Sequence, residues 1–199
     1  MRASGSEAKL NGMHAIEAIR ARRSAKVFRA DRVVAPEEVE GLLELATLAP
    51  NHRMTQPWHF YVLGPRTKAS YAALRGALKS RKVEDGEAAR LVREKVERET
   101  AAVPCVIAVA VDQHEDPETR EEDVAASWMG VENLLIGAQA IGLAGYIHTG
   151  RVLNLPELRR ILDVPVSQRV IALIDLGEPA ERATPKPRVA AGERTRWLD

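Results

Sequence analysis

Apolar residues recur at intervals of three and four in several parts of the chain, which is the spacing of an amphipathic helix. In the first part, Ile16 and Ile19 share one side and Asn11 is a candidate cap. The second begins with Pro36 and two glutamates and ends before Pro50, as a helix does. The pattern predicts helices at 13–23, 36–49, 66–80, 122–142 (stopped by Gly142) and, capped by Asn154, from 156 onward.

Four shorter apolar stretches predict β-strands. The stretch 58–63 is rich in aromatic and β-branched residues. Residues 103–111 are continuously apolar after Pro104, which is typical of a strand buried on both faces. Further strands are predicted at 145–147 and 170–176. Long helices mixed with about four strands around one sheet indicate a single α+β or α/β domain.

Three segments differ from this pattern. Residues 81–99 carry many charges of both signs and few apolar positions, which predicts a solvated helix or a lid. Residues 178–199 contain three prolines and little apolar content, which predicts an extended C-terminal arm. Residues 1–11 are polar and small, and we expect a mobile leader there. The expected organisation is thus a leader at 1–11, a domain at 12–177 and an arm at 178–199.

Composition narrows the function classes. Of 199 residues, 45% are hydrophobic and 29% charged, which indicates a soluble globular protein. Lys and Arg number 29 against 28 Asp and Glu, so no general attraction to nucleic acid or to a membrane is expected. Any anion site must be built from a few local cations. With one cysteine, Cys105, and neither a signal peptide nor a long apolar span, we expect a cytoplasmic protein.

Two polar clusters in the first third of the chain are candidates for binding. Arg22, Arg23, Ser24 and Lys26 could surround a phosphate or carboxylate, although cations at a helix end also complement the helix dipole. The loop 51–56, between an apolar helix and an apolar strand, supplies several donors and acceptors. Its alternative interpretation is a turn with an Asx cap.

Two further clusters lie later in the chain. Residues 142–150 include three glycines, which allow a ligand to approach the backbone closely, but the dinucleotide fingerprint GxGxxG is absent. The alternative is a helix stop followed by a loop. In the arm, prolines hold Lys186 and Arg188 on one side of an extended segment; taken alone, this is typical of a solvated tail.

Several chemistries have no support in the sequence. The motifs GxSxG, GxxxxGK[ST] and HExxH are absent. His52 and His59 have no suitably spaced acidic or thiol partner, so no metal site is predicted. Cys105 lies in an apolar run, which predicts a buried small residue rather than a nucleophile.

Taken together, the four clusters resemble the nitroreductase family of FMN-dependent oxidoreductases over about residues 13–190. The resemblance rests on Arg-Arg-Ser-Ala-Lys-Val-Phe at 22–28, Ala-Pro at 49–50, Gln-Pro-Trp-His-Phe at 56–60, the glycine-rich 142–150, and Lys186 and Arg188 after Gly-Glu-Pro at 177–179. The loop 51–54 looks most like the smaller bacterial branch of minimal nitroreductases. One departure is Met54, where many members have Asn.

The resemblance implies an α+β, three-layer fold: a central, mostly antiparallel sheet flanked by helices, in an intertwined homodimer with FMN at its interface. Arg22, Arg23 and Ser24 would hold the phosphate and ribityl end, and Lys26 would lie near the flavin N1/O2 edge. The other implied FMN-binding residues are His52 and Gln56 from the partner chain, Ile147, His148 and Thr149 at the isoalloxazine ring, and Lys186 and Arg188 from the arm. The 81–99 segment is a candidate roof over the flavin.

The activity that the resemblance implies is reduction of nitroaromatic, quinone or similar electron-poor small molecules by NAD(P)H, with ping-pong turnover. The flavin carries the hydride chemistry, so no catalytic protein residue is required, which agrees with the absence of triad and metal motifs. His148 is a candidate proton donor. Two rival hypotheses stay open: an enzyme of the same fold with other chemistry, such as flavin destruction or dehalogenation, and a flavin-binding module without turnover.

Overall fold

The computed structural model describes residues 14–181 and 183–199, and within them the chain forms six α-helices and four β-strands. In chain order these are α1 (Ala15–Ala21), α2 (Pro36–Thr47), β1 (Trp58–Val62), α3 (Pro65–Ser80), α4 (Gly86–Ala101), β2 (Cys105–Asp112), α5 (Pro117–Ala140), β3 (Ala144–His148), α6 (Pro156–Leu162) and β4 (Gln168–Gly177). Short 3-10 turns occupy His52–Met54, Arg151–Asn154 and Ala191–Arg194.

The four strands form one sheet in the order β1-β2-β4-β3, and every neighbouring pair is antiparallel. The two central strands, β2 and β4, are the ones that the sequence marks by continuous apolar runs, and nearly all of their residues are buried. Because β3 and β1 are the edges, their outer sides are open to other segments of the chain.

Helices cover both faces of the sheet. Alternate residues of β2 point to opposite sides. Ile107 and Val109 join a core with α2 and α5, whereas Val106 and Ala108 join a second core with Tyr71 of α3 and residues of α6. The predicted three-layer α+β fold is therefore confirmed, with a sheet that is antiparallel throughout.

Helices α2 and α5 approach each other closely at one glycine. A Cβ atom on Gly130 would lie 2.8 Å from the carbonyl oxygen of Ala46, which is closer than packed atoms tolerate. Gly130 thus allows α5, the longest helix, to lie directly on α2. This contact helps to fix the position of the helix whose end leads into β3.

Two predicted helix starts and one predicted helix cap differ from the structure. The first helix begins at Ala15, and Asn11, its predicted cap, lies outside the described residues. Helix α5 begins at Pro117, five residues earlier than predicted, because the Asp116 carboxylate accepts a hydrogen bond from the Thr119 N–H at 2.8 Å. The prediction that Asn154 caps the last helix is wrong: Asn154 ends a 3-10 turn and Leu155 precedes the helix.

The charged 81–99 region folds as predicted for a solvated helix. Helix α4 covers most of it and packs on α3. Its outer side carries ion pairs one turn apart, such as Arg90 with Glu94 and Arg93 with Glu97. Such exposed pairs keep the helix soluble and add little to stability.

Candidate functional site

Residues 22–26, called the cation segment below, run beside the edge strand β3. Gly142 has φ +83°, a left-handed conformation that ends α5 and turns the chain toward this strand. Ser24 forms an isolated parallel bridge with Gly145, and the Ala25 N–H donates to the Gly145 carbonyl at 3.4 Å. The Lys26 Nζ lies 5.4 Å from the centroid of the Tyr146 ring. The fold thus joins the first and third predicted clusters.

The two arginines of the cation segment already have partners. The Arg22 Nε donates to the Glu132 Oε1 of α5 at 3.2 Å. The Arg23 Nη1 donates to the carbonyls of Arg20 and Arg22 at 2.7 and 2.8 Å, at the end of α1. Arg23 therefore caps a helix end, which was the alternative interpretation, while Arg22 is held at the rim by a half-exposed carboxylate.

The residues of β3 point alternately to the two faces of the sheet. Ile147 packs against the core that contains α5. Tyr146 and His148 face the α3 side, with their ring centroids 4.8 Å apart, and Thr149 is exposed just after the strand. A flat ligand at this edge would therefore meet only one of Ile147 and His148 through its side chain.

A buried carboxylate lies behind His148. The His148 Nε2 and the Asp175 Oδ2 are 2.6 Å apart, and Asp175 of β4 is 6% exposed. The Arg75 Nη1 of α3 lies 4.0 Å from the same oxygen. The sequence reasoning missed Asp175, although a lone carboxylate inside the apolar run 170–176 is a signal, since a buried charge requires a partner.

The loop 51–56 docks on the first half of α5. The His52 Nδ1 is 2.9 Å from the Glu122 Oε1, and the Arg53 Nη1 donates to the Thr119 hydroxyl at 2.8 Å. The Thr55 hydroxyl contacts the carboxylate of Asp123, which is 2% exposed. These contacts fix the loop at three points on one helix.

Three residues of this loop have left-handed backbone conformations: Arg53, Met54 and Gln56 have φ of 63°, 52° and 47°. None is glycine, and such conformations cost of order 1–3 kcal/mol each. Backbone strain of this kind concentrates at functional sites, where the surrounding structure holds the strained residues in place. The strain favours a binding loop over a simple turn.

A single chain does not unite all of the predicted site residues. Glu122 and Glu132, which contact the loop and the cation segment, are separated by about 15 Å along α5. Within the described residues, no hydrogen bond or ion pair joins His52 or Gln56 to the cation segment. In the arm, Lys186 and Arg188 are exposed, and no ion pair to the rest of the described chain holds them.

Other chemistries find little support in the described part of the chain. It contains no group of three His, Cys, Asp or Glu residues that could hold a metal, and His59 pairs with Asp112 at 2.9 Å. Burial raises the pKa of the Cys105 thiol to about 11, so Cys105 stays protonated, as expected of a packed residue. None of the described helices is long and apolar enough to cross a membrane.

Comparison with known proteins is consistent with this geometry. The family model described as the nitroreductase family matches residues 19–178, which include the cation segment, the loop and all four strands. The chain belongs to the nitroreductase family. The resemblance inferred from the motifs is therefore confirmed.

Curated relatives and solved structures match nearly the whole length of this chain. A Bacillus subtilis protein with the provisional name NAD(P)H nitroreductase YfhC is 28% identical over 88% of this chain and 90% of its own length. The 5,6-dimethylbenzimidazole synthase of Rhodospirillum rubrum is 29% identical, covering 88% and 85%.

Two crystal structures share the fold. A nitroreductase-like family protein from Bacillus cereus superposes with a TM-score of 0.81 at 23% identity, covering 94% of this chain and 97% of that one. The FMN and NADPH-dependent nitroreductase NfnB from Sphigopyxis sp. strain HMH gives a TM-score of 0.75 at 19% identity, covering 94% and 100%.

Proposed function

We propose that this chain is an FMN-dependent oxidoreductase that uses NAD(P)H to reduce nitroaromatic, quinone or similar electron-poor small molecules. The observation that carries the proposal is the pairing of the cation segment with the edge strand β3 in a chain of the nitroreductase family. The names of two relatives support it: YfhC is called an NAD(P)H nitroreductase, and NfnB is described as FMN and NADPH-dependent.

The donors of the cation segment fit the phosphate end of FMN. A phosphate dianion requires several charged donors, and Arg22, Ser24 and Lys26 line one rim of β3. To bind the phosphate, the Arg22 guanidinium would exchange an exposed pair with Glu132 for a stronger bond to a dianion. Lys26, beside the Tyr146 ring, would then lie at the flavin N1/O2 edge, where a cation favours the reduced, anionic flavin.

The remaining part of the site comes, in this proposal, from a second copy of the chain. The strained loop would present His52 and Gln56 to the partner's flavin, which accounts for their separation from the cation segment within one chain. The arm would cross the interface with Lys186 and Arg188. Trp197 and Leu198 support this, since they are 92% and 83% exposed on a single chain and such apolar side chains usually pack against another surface.

The position of two cavities on a single chain supports a shared site as well. One of about 400 Å³ lies between α3 and α6, and one of about 390 Å³ lies beside Leu153 and Pro156. Neither is lined by a predicted site residue. A site that is completed by a second chain is open in the single chain, so this is the expected arrangement.

Bound FMN would supply hydride transfer, and the protein would supply binding, orientation and protons. Reduction of a nitro group to a nitroso group takes up two electrons and two protons and releases water. NAD(P)H provides both electrons and one proton as hydride, so the second proton must come from solvent or from the protein. His148, 17% exposed at the end of β3, is the titratable side chain that we assign to hold this proton. NAD(P)H and the acceptor would use the same place in turn.

A visible spectrum of the purified protein tests this proposal. We expect a yellow protein that NAD(P)H bleaches under anaerobic conditions and that a nitroaromatic or quinone then reoxidises. A colourless protein whose addition does not quench FMN fluorescence contradicts the proposal. Bound FMN without NAD(P)H oxidation over a broad panel of acceptors would instead favour a flavin-binding module without turnover.

The relative named 5,6-dimethylbenzimidazole synthase favours a second candidate, an enzyme of the same fold with other chemistry. Aerobic turnover with NADPH distinguishes the two candidates. The reductase proposal predicts that FMN is recovered intact after many turnovers. The second candidate predicts that FMN is consumed and that a benzimidazole product accumulates.

A further inference from the structure

We propose that Asp175 is a positioning residue: it holds His148 with its proton on Nε2, so that Nδ1 is the ring nitrogen that exchanges a proton with the bound acceptor. The inference rests on the proposed function, because it assigns a role to the side chain behind the residue that would hold the proton. It goes further by naming the atom that acts and the groups that orient it.

The sheet places the two side chains on the same face. In the antiparallel pair β3–β4, Tyr146 lies opposite Asp175 and His148 lies opposite Leu173. Cross-strand partners and residues two apart share a face, so Asp175 and His148 both point toward α3. The distance of 2.6 Å between His148 Nε2 and Asp175 Oδ2 is that of a strong, charge-assisted hydrogen bond.

The chemistry of the pair fixes which nitrogen carries the proton. An ionised carboxylate only accepts hydrogen bonds, so the Nε2 of His148 must be the donor. In the neutral ring, Nδ1 then carries the lone pair; in the charged ring it carries the transferable proton. Among the described residues, the hydrogen bonds of His148 involve Nε2 alone, so Nδ1 is not engaged by another side chain.

A cation of α3 lies beside Asp175. The Arg75 guanidinium lies 4.0 Å from the Asp175 Oδ2 and is itself held by a hydrogen bond to the Thr100 hydroxyl at 3.0 Å. It also lies over the Tyr71 ring, at 5.7 Å from its centroid. Burial raises the pKa of the Tyr71 phenol well above its usual range, so Tyr71 stays neutral. Two titratable groups contact His148: Asp175 and Tyr146. Arg75 lies beside Asp175 and over Tyr71, and Lys26 lies over Tyr146.

The pair is not built as a purely structural contact. The Asp175 Oδ1 is buried and has no hydrogen-bond partner among the described residues, and neither has the Tyr71 hydroxyl. A buried acceptor left open lowers stability, so a carboxylate serving stability alone would be poorly placed here. A side chain that orients a reacting group can retain such a cost because function maintains it.

The chain contains a matched control pair. His59 Nε2 and Asp112 Oδ1 are 2.9 Å apart, but their side chains are 39% and 48% exposed and lie at the opposite edge of the sheet, on β1 and the end of β2. The same two residue types therefore occur once buried beside the proposed site and once exposed far from it. Asp112→Asn is the control for Asp175→Asn.

The first test reads the proton directly. Ring-nitrogen NMR of protein labelled with 15N-histidine, with His148 assigned through His148→Gln, reports which nitrogen carries the hydrogen. The expected result is the Nε2–H tautomer of the neutral ring in the native protein. A native His148 with its proton on Nδ1 overturns the proposal. This measurement requires neither FMN nor a folded Asp175 variant.

The second test compares Asp175→Asn with Asp112→Asn in the FMN-loaded protein. The amide of Asn can donate to Nε2 and so reverse the tautomer. We expect kcat for nitroaromatic reduction to fall about 10-fold or more with KM within about twofold, and the pH profile of kcat to differ from that of the native enzyme. Asp112→Asn should match the native enzyme. Equal pH profiles and rates in all three proteins overturn the proposal.

The two tests separate this inference from the proposed function. If native protein binds FMN and oxidises NAD(P)H while Asp175→Asn behaves like Asp112→Asn, the positioning role is wrong and the proposed function stands. If native protein binds no FMN, the proposed function is wrong, and the role assigned to Asp175 falls with it whatever the tautomer of His148.

Discussion

Arg22 is the residue for which a structural partner, Glu132, and the phosphate of FMN would compete most directly. Its guanidinium is 27% exposed and pairs with Glu132, 49% exposed, across the gap between α1 and α5. An exposed pair of this kind contributes at most about 1 kcal/mol, so a phosphate dianion can displace the glutamate. Ser24 and Lys26 are exposed on the same segment, whereas the Nη1 of Arg23 is engaged by two backbone carbonyls. Arg22 is therefore the arginine of this segment that can move to a ligand.

Replacing Arg22 and its partner should have opposite effects on FMN binding. We expect Arg22→Ala to weaken FMN binding by about 1–3 kcal/mol, since a charge-assisted hydrogen bond is lost. We expect Glu132→Gln to tighten it by up to about 1 kcal/mol, because the competing carboxylate charge is removed. Fluorescence titration of FMN measures both.

Arg20→Ala is the control for this pair of variants, because Arg20 is an exposed cation on α1, two residues before Arg22. Its effect on FMN binding should be small. If Arg22→Ala and Arg20→Ala have equal effects, Arg22 is a helix-end charge and the assignment to the phosphate is wrong.

Sequence and structure differ most at the level of single partners. The clusters at 22–26 and 142–150 could be found from residue type and spacing, because cations, glycines and polar loops carry their chemistry locally. The contacts of Arg22 with Glu132 and of His148 with Asp175 could not, since the partners are 110 and 27 residues apart. Which of several exposed carboxylates meets a cation is decided by the packing of α1 on α5, which spacing does not encode.

Among the elements, the loop 51–56 shows how a helix can hold a strained segment. Arg53 and Thr55 contact α5. Met54 lies between them, is 71% exposed, and has a backbone φ of 52°. Left-handed backbone costs about 1–2 kcal/mol for most residues, and Asn tolerates it best after glycine. The Asn that the resemblance implies at this position would therefore relieve backbone strain.

Met54→Asn should stabilise the protein. We expect a gain of about 0.5–1 kcal/mol in the free energy of unfolding, because strain is relieved and little apolar surface is given up. The matched control is Met129→Asn on α5, 42% exposed, where the lower helix propensity of Asn should cost about 0.5 kcal/mol. Urea denaturation measures both, and losses of equal size in the two variants contradict the strain argument.

The start of α2 makes a pH-dependent contribution to the free energy of unfolding. The Glu38 carboxylate pairs with Arg32 and accepts a hydrogen bond from the Ala35 N–H at 2.9 Å, and these partners lower its pKa from the ordinary 4.5. A group whose pKa is lower in the folded state stabilises the fold above its ordinary pKa and loses that contribution as the pH falls through the folded value.

Glu38→Gln should therefore lower the free energy of unfolding at neutral pH, and the difference from the native protein should shrink as the pH falls below 4.5. Denaturation curves over this pH range check the prediction. Glu37→Gln, at an exposed position of the same first turn, serves as the control and should produce a smaller difference. A difference for Glu38→Gln that persists unchanged in acid would show that its charge is not what matters.

Element boundaries were predictable where apolar periodicity marks them. The predicted boundaries were wrong where a polar cap sets the start of the helix. The strands β2 and β4 follow from continuous apolar runs, and α2 follows from its proline start. The first turn of α5 is mostly acidic and polar, so its periodicity begins only at Val124, whereas the Asp116 cap sets the true start. Ile16 and Ile19, predicted to share one side of the first helix, are 54% and 55% exposed, whereas Ala18 is the buried residue of α1.

At the scale of the whole molecule, the single chain has the fold of a nitroreductase. The start of the arm pairs with residues just after the cation segment, through the Ala180 N–H and the Val27 carbonyl, while the loop is held on α5. The three layers and the antiparallel sheet could be inferred from the resemblance and the apolar pattern. The relation between the cation segment, the strained loop and the exposed arm could not, because it concerns surfaces left open on one chain. In the proposed function, a second copy brings these surfaces together around FMN.

FMN titration of mixed dimers tests this claim most directly. Arg22→Ala and His52→Ala chains, carrying different affinity tags, are co-expressed and the mixed species is purified, with each homodimer variant as control. If each site takes Arg22 from one chain and His52 from the other, the mixed dimer has one native site and one doubly impaired site. The account predicts one FMN bound per mixed dimer with native affinity. Two sites weakened equally, or a monomer that binds FMN as tightly as the native protein, would contradict it.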